Sequence, residues 1–406
     1  MVRLEQTMQD SDDTLNVGYL VSHPIQYQAP LLRRIAAVRE WNFKVFFRSD
    51  TSVRGAWDPQ FGKHISWDTD LLSGYDYQFL PGIIPSNRIN FLLPINGGLI
   101  KALKQSSIDV LIVHGYGYLY NLYAVFAAKA CGIRVFLRDE AHAGSRARSG
   151  VGELKARIVF RYLNRFVDRF LAIGSANARY YRSRGISDTK IFLVPYAVDN
   201  QHFKVSSIEQ KRHARLMVSA EYGISGKPRI IAFASKLLER KRCRDLILAF
   251  AELRKSKNNV ALLVVGEGSE RKSLEGLVDD LGLRQCVRFL GFLNQNALPS
   301  IYRAADVLVL PSEHEPWGVV VNEAMASGCG IIVTDQVGSG FDLVRPGENG
   351  FVYRVGDIED LAACLKRFFS NDELICAAQK RSLSIIKTWS FDQDLEGLRD
   401  AIKSLT

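Results

Sequence analysis

The stretch that most constrains this chain lies between residues 306 and 335. An apolar run, Val307-Leu308-Val309-Leu310, is bounded by Pro311-Ser312-Glu313-His314. Glu315-Pro316-Trp317-Gly318-Val319-Val320-Val321-Asn322-Glu323 follows, then Ala324-Met325-Ala326-Ser327-Gly328 and a second apolar run, Ile331-Ile332-Val333-Thr334. Short apolar runs bounded by turn residues read as buried strands, and the interval between these two has the length of a helix. The pattern is therefore strand, loop, helix, strand: one turn of a parallel α/β unit. Ligands of open α/β sheets gather beyond the carboxyl ends of the strands, which places the 311–318 loop at a site. Pro316 and Gly318 mark the helix start, where unpaired amides attract phosphate.

Glu315 and Glu323 stand eight residues apart, or roughly 12 Å if the segment is helical at ~1.5 Å per residue. A phosphate between two hydroxyl-bearing rings fits that span, as in a nucleotide sugar. The E-x7-E run in this setting resembles family four of the retaining glycosyltransferases of the GT-B fold. That resemblance implies an α/β protein of two Rossmann-like domains facing each other across a cleft. It also implies that Glu315 binds the donor sugar's hydroxyls and Glu323 the nucleotide ribose. The amides from Gly318 and Val319, with Trp317 beside them, would hold the diphosphate.

With 406 residues and 47% hydrophobic content, the chain is long enough for two or three full cores. Its six cysteines (131, 243, 286, 329, 364 and 376) form no CxxC pair and no zinc-ligand spacing. They sit mostly in apolar runs, as expected of buried thiols in a reducing cytoplasm. Residues 1–14 read as a disordered, acid-rich lead-in without the apolar core of a signal peptide. No apolar stretch approaches the ~18 residues of a membrane span, so the expectation is a cytoplasmic protein, soluble or peripheral at the inner membrane face. Charge is uneven. Residues 1–200 hold 25 Lys and Arg against 17 Asp and Glu, whereas residues 201–406 hold 28 against 26. The first half is thus the expected face for an acidic partner.

The first half opens with a strand at 16–21, then Ser22-His23-Pro24-Ile25-Gln26-Tyr27-Gln28 before a helix from about Leu31. In family four this loop is usually glycine-rich. Here it has no glycine, so His23, Gln26 and Tyr27 are read as acceptor-facing. Residues 50–98 read as an irregular, aromatic-rich binding or lid segment. Its Asp68-Thr69-Asp70 follows no apolar strand and is read as solvated rather than as a metal-binding DxD. A strand at 109–114 ends in His114, a further acceptor-side candidate. Another at 132–137 is followed by Arg138-Asp139-Glu140-Ala141-His142. By resemblance a His after this strand bonds the donor sugar near its reacting end; His142 or Glu140 stands at that spot. Residues 144–184 carry ten Lys or Arg and two acids, Glu153 and Asp168. Leu154, Ile158, Leu163, Phe166, Val167 and Phe170 read as the apolar face of a helix there, with Arg157, Arg161, Arg165 and Arg169 as a cationic stripe. Such a stripe is either a solvated face or a contact for anionic lipid or acceptor. No module for nucleic acid is recognisable.

Residues 191–203 resemble the family's interdomain hinge, which divides the chain into domains 1–200, for the acceptor, and 201–386, for the donor. A final helix in 387–406 crosses back to the first domain. The second domain opens with a strand at 229–234. Lys236 then stands where the family usually has Arg, and Lys241 matches its Lys. Two cations at a strand end can neutralise a departing diphosphate. By resemblance the backbone of Phe292 contacts the base, and the loop holding Gly338 reaches the donor. The implied activity is transfer of a sugar from a UDP- or GDP-sugar to a carbohydrate or lipid-linked acceptor, as in polysaccharide or glycolipid synthesis. It proceeds with retention and without metal or cofactor. The alternatives are a nucleotide-sugar epimerase of the same layout and a non-catalytic sugar-binding protein.

Overall fold

The computed structural model describes residues 14–58, 63–84, 90–142, 150–226 and 228–405. Most of the lead-in, and Arg146 and Arg148 of the basic stretch, lie outside these residues. Two parallel sheets organise the rest. The first has seven strands, in the order Ile191–Leu193, Arg169–Ala172, Arg134–Asp139, Val110–His114, Leu15–Val21, Trp41–Phe47, Asp76–Phe79. The second has six: Val287–Gly291, Val260–Val265, Arg229–Ala234, Val307–Leu310, Gly330–Thr334, Gly350–Tyr353. Helices cover both faces, so central strands such as Val307–Leu310 are buried throughout and need no polar alternation.

Strand order fixes where sites form. In the second sheet it reverses between Arg229–Ala234 and Val307–Leu310, and in the first between Val110–His114 and Leu15–Val21. Loops leaving neighbouring strands part at such a point and open a crevice. Lys236, Lys241 and Glu315 leave the second crevice; His23 and His114 leave the first.

The C-terminal helix, Phe391–Lys403, starts with a capping box between Ser390 and Gln393. It inserts Phe391, Leu395, Leu398 and Ala401 into a core cluster of the first sheet. Gly397 permits the approach, because a Cβ there would lie 1.9 Å from the Leu193 carbonyl oxygen.

Four expectations change. The 50–98 segment is partly regular: Asp76–Phe79 extends the main sheet, and two small antiparallel hairpins pair Ala56–Asp58 with Lys63–Ile65 and Gly82–Ile84 with Ile95–Asn96. Arg138 and Asp139 are buried inside their strand instead of following it. Glu315 precedes its helix, Val319–Ala326, so helical rise does not set its distance from Glu323. The helix Gly150–Phe166 buries Ala156, Phe160 and Leu163, while Leu154 and Ile158 are 59% and 62% exposed. The inward stripe runs through 156, 160 and 163, at helical spacing, and leaves Leu154 and Ile158 beside the arginines.

Candidate functional site

In the second domain, Lys241 and Glu315 form an ion pair. Lys241 comes from a single turn, Glu239–Lys241, ended by Arg242 in a left-handed conformation (φ 51°). The Glu315 carboxylate also accepts from Ser312 at 3.3 Å. Its main chain is fixed by Glu315 N–H to Gln336 O (3.3 Å) and Gly338 N–H to Glu315 O (3.0 Å). Lys236 lies half-buried in the loop after Arg229–Ala234. Gly266 and Gly268 let the neighbouring turn abut that loop, since side chains there would strike the carbonyls of Ser235 and Leu237. Gly318 caps the helix at φ 89°, and Val319 opens it, half-buried. The first amides of a helix have no partner within it and carry its positive pole.

Two donor candidates serve packing. The Trp317 indole is 3% exposed, stacks on Trp389 with centroids 5.6 Å apart, and donates to Asn322 at 2.9 Å. Its side chain is thereby spent on the core. Gly338 is buried against Pro316, whose carbonyl would stand 2.0 Å from a Cβ there, so close chain approach accounts for this glycine. Neither signal was separable in sequence from a ligand contact.

Glu323 is also buried, accepting from the Tyr302 hydroxyl at 2.9 Å. Burial pushes its carboxyl up to about 7, against the pull of hydrogen bonds from Tyr302 and Gln295. It still lines a cavity of about 420 Å³ together with Gln26, Tyr27, Asp199, His202 and Gln295. Glu315 and Lys241 are not among that cavity's lining residues.

From the first domain, His142 reaches across, and its Nε2 donates to the Glu315 carbonyl at 3.1 Å. Burial depresses its pKa, partly offset by that bond. Glu140 points elsewhere. Its carboxylate accepts from Tyr196 at 2.5 Å and lies 3.9 Å from His114 Nε2. Burial alone would raise the Glu140 pKa, but the nearby His114, the bond from Tyr196 and the charge of Arg138 hold it low. His114 Nδ1 lies 2.7 Å from the Tyr19 hydroxyl, and Tyr27 meets the Tyr196 hydroxyl at 3.2 Å. Burial, with His114 nearby, lowers the His23 pKa to about 4, so it is neutral at pH 7. The acceptor-side candidates Tyr27, His114 and Glu140 thus belong to one network, while Gln26 lines the cavity.

Asp68 and Asp70 are more than solvated side chains. The Asp68 carboxylate accepts from the Asn296 backbone N–H at 3.2 Å across the cleft, its carbonyl accepts from the Asn296 side-chain amide at 3.1 Å, and both acids line the cavity. Beside them Trp67 meets Phe292 at 5.9 Å, and Asn294 donates to the Ser66 carbonyl at 2.8 Å. The sequence showed an aromatic-rich segment but not its partner. A deeper tie was also missed: Arg138 pairs with Asp394 of the C-terminal helix at 2.6 Å, both fully buried.

The sequence profile described as Glycosyl transferases group 1 matches residues 217–382. That match lies in the second domain and includes Lys236, Lys241, Glu315 and Glu323. An uncharacterized glycosyltransferase of Methanocaldococcus jannaschii is 32% identical over 164 residues, 40% of each chain. The D-inositol 3-phosphate glycosyltransferase of Corynebacterium jeikeium is 29% identical over 222 residues, 53% of this chain and 52% of that one. The chain therefore spans about half the length, or less, of these curated relatives. The Anabaena protein HepE, solved with UDP and glucose, superposes with a TM-score of 0.72 at 17% identity, covering 96% of this chain and 100% of the other. The fold is GT-B.

Proposed function

We propose that the chain is a glycosyltransferase that moves a sugar from a nucleotide diphosphate sugar to a carbohydrate or lipid-linked acceptor with retained anomeric configuration. The observation that carries this is the Lys241–Glu315 pair beside the Gly318 helix start, with His142 of the opposite domain anchored on the Glu315 backbone. One group for phosphate, one for sugar hydroxyls and one from the acceptor side converge there. In the transfer, the bond from C1 to the diphosphate oxygen breaks and the acceptor oxygen bonds C1 on the same face. The acceptor's proton passes to the leaving phosphate. Lys241 and Lys236 stabilise the charge that develops on that phosphate, Glu315 orients the sugar, and Glu323 takes the ribose hydroxyls from the cavity. No protein nucleophile, metal or cofactor enters this scheme.

UDP is the first nucleotide to try, because HepE was solved with UDP and glucose. The test is a thermal-shift screen of UDP, GDP and their sugars, followed by an assay for free nucleoside diphosphate. Transfer predicts a nucleotide that raises the melting temperature and a diphosphate product that appears only when an acceptor is supplied. An isomerised donor without diphosphate release would instead mark an epimerase. Binding with no turnover on any acceptor would mark a sugar-binding protein.

A further inference from the structure

One flank of the first domain exposes large apolar side chains on three adjoining segments. The helix Leu119–Ala130 buries Ala124, Val125 and Ala128 and turns Leu119, Tyr123 and Phe126 outward, 48%, 43% and 53% exposed. The helix Gly150–Phe166 packs beside it: the Tyr162 hydroxyl donates to the Leu122 carbonyl at 2.7 Å, and Phe126 meets Phe166 at 6.0 Å. It presents Leu154 and Ile158 outward. Phe91, 54% exposed, joins them, its carbonyl accepting from the Leu119 N–H at 2.8 Å. Single exposed apolar residues are ordinary, but a strip shared by adjoining elements marks an interaction surface.

Charge decides the occupant. Arg157, Arg161 and Arg165 stand exposed on the outer side of the same helix. The acids nearby are engaged: Asp168 by Lys129 at 3.0 Å, and Glu153 by Arg184, with Arg157 at 3.7 Å. An apolar strip edged by cations matches a bilayer surface, where an apolar layer lies just beneath anionic headgroups. Arginine stems can lie along apolar surface while their heads reach phosphate. Among the described residues no helix is long and apolar enough to cross a membrane, so such a contact lies on the surface.

We propose that this flank docks on an anionic bilayer, with Phe126, Leu154 and Ile158 entering the interface and the three arginines pairing with lipid phosphates. The strands that lead into these two helices, Val110–His114 and Arg134–Asp139, run toward His114 and Glu140 at the cleft. Docking therefore holds the cleft beside the lipid, where a lipid-borne acceptor would enter. That last link rests on the glycosyl-transfer assignment; the docking does not.

The test is flotation of the full chain with vesicles of phosphatidylcholine alone or with one-third phosphatidylglycerol. Partition is expected only on the anionic vesicles and is expected to weaken with added salt. Replacing all three arginines (Arg157→Gln, Arg161→Gln, Arg165→Gln) should lower it roughly a hundredfold, at about fivefold per cation. The triple variant Phe126→Ser, Leu154→Ser, Ile158→Ser should reduce it at least as clearly, with melting temperature and nucleotide binding retained in both. No partition by the wild type, or undiminished partition by both triple variants, overturns the proposal. So does a wild-type dimer in sedimentation that the serine variant turns to monomer without any vesicle binding. Nucleotide binding is read separately, so a failed donor assignment would leave the flotation result interpretable.

Discussion

Glu315 and Lys241 neutralise each other, whereas the transfer proposed above places Lys241 on phosphate and Glu315 on the sugar. On that proposal, binding exchanges one pair for two new ones. Glu315→Gln should therefore cut turnover about 10²–10³-fold, the scale of removing one preorganised transition-state group, while UDP without a sugar binds as well or more tightly. Steady-state kinetics with UDP calorimetry checks both halves; undiminished turnover would remove Glu315 from the chemistry. Glu323 gives a second residue-scale outcome, through pH. Its folded-state pKa is raised from 4.5 to about 7 by burial. The folded protein then holds a proton that the unfolded chain has lost, and stability falls as pH rises through that window. At 1.36 kcal/mol per pK unit the drop is about 3 kcal/mol. Glu323→Gln does not titrate, so its stability relative to the wild type should improve by about that much from pH 4.5 to pH 8. Urea unfolding at the two pH values reads the difference, and parallel pH profiles would contradict the buried carboxyl.

The C-terminal helix is the element whose contribution is easiest to isolate. Asp394 is fully buried and answers the fully buried Arg138. Asp394→Ala strands a guanidinium and should cost about 3–5 kcal/mol, whereas Asp394→Leu combined with Arg138→Leu should recover most of it. Denaturant midpoints compare the three proteins; equal losses in the single and double variants would mean that packing, not charge, sets the cost. This pairing was not legible in sequence. The helix reads Phe391-Asp392-Gln393-Asp394, and nothing there distinguishes the buried acid from its solvated neighbour. By contrast, the strand ends that carry Lys241 and Glu315 stood out, because buried parallel strands are short apolar runs and their exits are where ligands gather. The helix Gly150–Phe166 shows the limit of periodicity. Two apolar stripes, one through Ala156, Phe160 and Leu163 and one through Leu154 and Ile158, fit the same period, and only packing against the sheet selects between them. Trp317 was overread for a related reason. A tryptophan beside a ligand loop and one stacked on Trp389 look alike until a residue 72 positions away is placed.

At the scale of the molecule, the two domains touch at both sides of the cleft. His142 and Ser175 reach Glu315 O and Asp342 on one side, at 3.1 and 2.9 Å. Trp67, Asp68 and Ser66 meet Phe292, Asn296 and Asn294 on the other. The second set borders the cavity that Glu323 lines, so the segment 66–73, held by Phe292, Asn294 and Asn296 of the opposite domain, is expected to act as a latch. A ligand seated in that cavity gains affinity only from molecules in which the latch is shut, and apparent affinity scales with that fraction. Hydrogen bonds contribute about 0.5–1.5 kcal/mol each, and an aromatic pair a similar amount. Trp67→Ala combined with Asn296→Ala should thus weaken UDP binding roughly tenfold or more through the closed fraction. It should also widen the free protein in small-angle scattering, and saturating UDP should restore the wild-type radius. Weakened binding with an unchanged radius would assign Trp67 and Asn296 to the ligand contact itself; unchanged affinity and radius together would show that the latch does not govern access to the cavity.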